Sequence, residues 1–108
     1  MAHQNIVNLT SDNYAAEVEK ADVPVVIDFW SEHCGPCKQL SPVLDQVAAE
    51  VGTTAKVAKV DVMSQRQLAA KFKITAVPTL LFVKNGQVKE TKVGIMLKND
   101  IIKKLQSL

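Results

Sequence analysis

The chain has 108 residues, of which 47% are hydrophobic and 22% charged, which is ordinary for a soluble globule and large enough for one domain, 1–108, around a single core. Its net charge of +2 comes from lysines spread along the chain, with Arg66 the only arginine, so it has almost no material for bidentate recognition of phosphate or guanine, and nucleic acid is excluded as a partner class. Met1-Ala2-His3-Gln4-Asn5 lacks the basic and then apolar pattern of an export signal, and Pro24 and Asp28 break the longest apolar run; neither export nor membrane spanning is supported, and the expected compartment is the cytoplasm.

In chain order, Asn5 to Asn8 alternates weakly as a first strand, and Thr10 or Ser11 is placed to cap a helix running to about Lys20, with Tyr14 and Val18 on its inner face. A second strand, about Val23 to Trp30, is apolar on both faces apart from Asp28, as a strand covered on both sides should be. Asp28 is therefore its anomaly. From Cys34 onward Leu40, Val43, Leu44, Val47 and Ala48 recur at helical spacing. Pro42 should kink this long helix, and Gly52 suits the position just past its end.

A third strand, about Lys56 to Val62, precedes Ser64-Gln65-Arg66-Gln67, a capping-box pattern opening a helix with Leu68, Ala69 and Phe72 inward. Strands separated by helices imply parallel pairing with right-handed crossovers. The last third changes style. Pro78 leads into a strand over Thr79 to Lys84, Asn85-Gly86 is a strong hairpin signal, and Gln87 to Val93 should return antiparallel. A final helix carries Ile101, Ile102, Leu105 and Leu108, starting either at an Asn99 cap or nearer Leu97.

Both cysteines lie where the second strand gives way to its helix, in Cys34-Gly35-Pro36-Cys37. Residues three apart on a helix are neighbours, and slight tightening brings their Cβ atoms within disulfide range. The first helical turn also offers unpaired N–H groups and the positive end of the helix dipole, which favour a thiolate at Cys34. The thiolate is the attacking species in thiol–disulfide exchange, so Cys34 reads as the nucleophile and Cys37, one turn deeper, as the resolving thiol. Pro36 removes no helical bond in a first turn, and Gly35 lets another backbone approach the sulfurs. The rival readings are two small core residues, or a zinc site; a closed zinc site needs four ligands, and the chain adds only His3 and His33.

The run Val25-Val26-Ile27-Asp28-Phe29-Trp30-Ser31-Glu32-His33-Cys34-Gly35-Pro36-Cys37-Lys38, with Val77-Pro78-Thr79 some forty residues on and Lys92-Val93-Gly94 after the hairpin, closely resembles the thioredoxin family over nearly the whole chain. The resemblance implies an α/β fold with a five-stranded mixed sheet, order 1-3-2-4-5, and four helices on its two faces. It implies a monomeric protein-disulfide reductase, recharged by a thioredoxin reductase, that passes two electrons to disulfides of target proteins without a bound cofactor or metal. It places Pro78 opposite the disulfide, after a cis Val77-Pro78 bond. Targets would then dock on Trp30, His33, Ala76, Val77 and Pro78, joined by Val93, Gly94 and Ile95. Gly35, Pro36 and His33 would bear on the redox potential. Two residues depart from the family pattern: His33 stands where Trp is usual, and Ala76 where Gly is frequent.

In the implied strand order Lys59 lies beside Asp28. One reading makes the two a structural pair. The other lets burial raise the Asp28 pKa so that Asp28 takes the proton from Cys37, with Lys59 tuning that base. Beyond a reductase, the alternatives are a more oxidising oxidase or isomerase, or a binding scaffold in which the dithiol is incidental.

Overall fold

The computed structural model describes residues 5–108. The chain runs β1 (Ile6–Asn8), a π-helical turn (Ala15–Glu19), β2 (Val25–Trp30), α1 (Gly35–Val51), β3 (Lys56–Asp61), α2 (Arg66–Lys71), β4 (Thr79–Lys84), β5 (Gln87–Val93) and α3 (Lys98–Ser107). The strands form one sheet in the order β1-β3-β2-β4-β5, with β3 parallel to β1 and β2, and β4 antiparallel to β2 and β5. The helical connections supply the length that parallel crossovers need. Asn85 and Gly86 turn the chain between β4 and β5 with φ of 54° and 77°, the two positive angles of a tight hairpin turn.

Alternation along the strands divides the core into two layers. On one face Val26, Val57, Leu80 and Phe82 pack under Leu40, Leu44 and Val47 of α1 and Ile101 and Leu105 of α3. On the other, Ile27, Phe29, Val60 and Leu81 meet Tyr14, Val18 and Leu68. Phe72 closes that side, its ring 5.4 Å from Tyr14 and 5.9 Å from Phe29. Central β2 is covered on both sides, which is why its sequence is almost unbroken apolar.

Several boundaries differ from the sequence expectation. Thr10 does cap, its Oγ1 accepting from the Asp12 and Asn13 N–H groups while Asn13 Oδ1 accepts from the Thr10 N–H. The element it opens is only a π turn, closed by the Lys20 N–H donating to Ala15 O at 3.0 Å. Pro24 has no N–H to give the sheet, and β2 begins after it at Val25 rather than at Val23. The capping box at Ser64 does not form. Asp61 builds that turn instead: its Oδ1 accepts from the Met63 N–H, and its carbonyl accepts from the Gln65 N–H and the Ser64 hydroxyl. Gln65 then precedes α2 without a side-chain cap. Helix α3 starts from Leu97, whose carbonyl accepts from Asp100 and Ile101, rather than from Asn99. Helix α1 continues as one element through Pro42 and ends before Gly52, whose φ of 56° suits a residue without Cβ.

Candidate active site

The sheet and α1 converge on the two sulfurs. Cys34 is the N-cap of α1, in extended conformation, and is joined to Cys37 by a disulfide with Cα atoms 5.2 Å apart. The Cys37 N–H, one of the donors a helix start leaves unpaired, points at Cys34 Sγ from 3.1 Å. In the reduced state that donor and the helix dipole would meet a thiolate. Cys34 and Cys37 are both largely buried, whereas Gly35 and Pro36 are exposed. A Cβ on Gly35 would meet no atom within 4 Å, so this flank of the disulfide is open to an approaching chain.

Asp28 lies behind the disulfide, on the α1 side of β2, only 1% exposed, with its Oδ1 lacking any hydrogen-bond partner. Burial pushes its pKa up to about 7, against the opposing pull of the Lys59 ammonium. Lys59 is its register partner on β3, as the resemblance implied, and is also buried. The two do not form an ion pair among those of the described residues. Lys59 Nζ donates instead to Ser41 Oγ at 2.7 Å. Asp28, Cys37, Ser41 and Lys59 line one cavity of about 340 Å³, whose mouth carries Trp30, Glu32 and Lys38. A buried carboxyl near neutrality and a helix-mouth dithiol sharing a solvent-sized space can exchange a proton.

Of the remaining candidate residues, Ala76 and Val77 share a groove with Ser31 of the loop between β2 and α1. The Val77-Pro78 bond is cis. Among the described residues no hydrogen bond uses the Val77 N–H or carbonyl, so that backbone is free to pair. Gly94, at φ 101°, donates its N–H to Pro78 O at 2.9 Å, which draws Val93, Gly94 and Ile95 alongside the proline. Val93 and Ile95 are 59% and 44% exposed. Trp30 is half-buried, with an unpaired Nε1, and Ala76 is exposed. His33 projects outward, its Nε2 3.6 Å from Glu32 Oε1. His3 lies outside the described residues, and among these no group of three or more His, Cys, Asp or Glu could hold a metal ion.

The family model for thioredoxin matches residues 5–107. The chain belongs to the thioredoxin family. It is 40% identical to the thioredoxin of Pseudomonas aeruginosa over 98 residues, covering 91% of each chain. It is 37% identical to those of Rickettsia felis and Rickettsia bellii over 95 residues, covering 88% of this chain and 90% of each relative. With the family and the Cys34–Cys37 pair established, the chain is a thiol–disulfide oxidoreductase, a protein-disulfide reductase of the thioredoxin type. Its partners are, generally, disulfide-containing proteins and a reductase. No helix of the described residues is long and apolar enough to cross a membrane.

Two features of this thioredoxin-family site were not found by sequence reasoning. Ser41 stands four residues after Cys37 and so on the same helix face, a spacing that would have pointed to it. Met63, 52% exposed, lines a groove of about 270 Å³ with Ser31, Ile74, Ala76 and Val77. No periodicity marks a loop methionine of this kind.

Proposed function

We propose that Cys34, as thiolate, attacks one sulfur of a target disulfide, forming a mixed disulfide and releasing the other target sulfur as a thiolate. Cys37 then gives its proton to Asp28 and attacks Cys34 Sγ, forming the Cys34–Cys37 disulfide and expelling the second target thiolate. Two electrons pass from the dithiol to the target, so the reaction requires no bound cofactor. Thioredoxin reductase returns the pair to the dithiol, and the protein works as a monomeric single domain, 1–108, in the cytoplasm. Lys59 tunes Asp28, and Gly35, Pro36 and His33, which surround the sulfurs, set the redox potential.

Targets dock as an extended segment on the free Val77 backbone beside Pro78, in contact with Trp30, His33, Ala76, Val93, Gly94 and Ile95. The observation that carries this reading is the buried Asp28 carboxyl sharing a cavity with Cys37, directly behind the disulfide. The test is reduction of a disulfide-bonded protein by a small dithiol. Acceleration by the native protein and none by Cys34→Ser is expected; equal rates with both would overturn the reading and favour a binding scaffold.

A further inference from the structure

Asp28 and Lys59 are direct neighbours across β2 and β3 and point to the same face of the sheet, under α1. A carboxyl and an ammonium so placed in an apolar layer would ordinarily meet. Here the ammonium turns to α1, where Ser41 Oγ accepts its only hydrogen bond among the described residues, and Asp28 Oδ1 is left without a partner. Ser41 is four residues beyond Cys37, so hydroxyl and resolving sulfur sit on one helix face, above the same cavity.

We propose that Ser41 is a positioning residue for the resolving step, anchoring the Lys59 ammonium on α1 so that the Asp28 carboxyl stays unpaired and able to accept the Cys37 proton. This rests on the reading of Asp28 as the base. Lys59 is 9% exposed, so an ammonium deprived of the hydroxyl cannot simply turn to bulk water. The other side-chain oxygen acceptors on the cavity wall are Asn8 of β1, Ser31 and Glu32 of the loop before α1, and Asp28 itself; Lys38 of α1 is a competing cation. Glu32 is 73% exposed and already faces His33, and Ser31 Oγ already accepts from the His33 N–H. Asn8 and Asp28 are both register neighbours of Lys59, but Asn8 is exposed and neutral, whereas Asp28 is buried, has a vacant oxygen and can carry the opposite charge. Asp28 is therefore the acceptor Lys59 would take, and the pairing would hold the carboxyl in its charged, weakly basic form.

The test uses the full chain in its disulfide form, where neither sulfur titrates, and follows the Asp28 side-chain carbon resonance against pH by NMR. Ser41→Ala is suited to a helix interior and should fold. Its Asp28 midpoint should fall by about one pH unit, the scale of a new opposite-charge contact, and Ser41→Thr, which keeps the hydroxyl, should titrate as the native protein does. An unchanged or raised midpoint in Ser41→Ala would overturn the anchor. In the reduced protein the acid limb of the resolving step should move down in the same variant. The base reading is tested separately by Asp28→Asn: resolution at the native rate and pH profile would overturn it, and Ser41's part in catalysis with it, even if the titration had moved.

Discussion

Replacing Asp28 by Asn should stabilise the fold, and by an amount that depends on pH. The carboxyl is 1% exposed and its pKa rises from 3.8 to about 7, chiefly through loss of solvation, so the folded state binds this proton more tightly than the unfolded chain does. A group of this kind contributes its stability below the unfolded pKa and loses it as pH rises through the folded one. At 1.36 kcal/mol per pH unit the whole loss is about 4 kcal/mol, incurred between about pH 4 and pH 7. Asn has nearly the same shape and does not titrate. Urea unfolding should therefore find Asp28→Asn more stable than the native protein by about 2 kcal/mol at pH 5 and about 4 kcal/mol at pH 8, both upper bounds because water entering the cavity lowers the cost of the charge. A difference equal at the two pH values, or a native protein more stable at pH 8, would refute the burial argument.

Other changes separate docking, packing and chemistry. Ile95→Ser and Val93→Ser, at exposed sites beside Pro78, should raise KM for a protein disulfide while changing stability by less than about 0.5 kcal/mol; an unaltered KM would remove this strand end from the docking surface. Leu44→Ala, at a fully buried position of α1, should cost about 2–5 kcal/mol in urea unfolding yet leave activity per folded molecule unchanged, and a loss below about 1 kcal/mol would contradict its place in the core. His33→Trp removes a side chain next to Cys34 that can carry charge, so it should displace the pH profile of Cys34 alkylation between about pH 5 and 9 and also change KM. Superimposable profiles would take His33 out of the groups that set the redox potential and leave it as a docking contact.

Much of this was legible in the residues. Hydrophobic pattern together with cap and turn residues located every strand and all four helical elements, and Asn85-Gly86 announced the hairpin because few pairs tolerate two positive φ angles. Asp28 stood out as a lone charge in an apolar strand, and Cys34-Gly35-Pro36-Cys37 named its own chemistry through its place at a helix mouth. The sheet order came from the family resemblance, since local pattern does not say which strands adjoin. Caps and turns were read less well: at Ser64 a matching pattern lost to Asp61, whose carboxylate and carbonyl were already in position to hold the turn. The Lys59–Ser41 bond was invisible because it joins residues 18 apart that become neighbours only once α1 lies across the sheet.

The central claim is the division of labour between the sulfurs, and trapping measures it most directly. Cys34→Ser and Cys37→Ser are each incubated with a disulfide-bonded protein, and the covalent products are mapped by mass spectrometry. Cys37→Ser should accumulate a mixed disulfide on Cys34, since that thiolate is stabilised by the helix start and the resolving thiol is gone, while Cys34→Ser should form no adduct and reduce nothing. An adduct on Cys37 in Cys34→Ser, with none in Cys37→Ser, would reverse the roles and contradict the account.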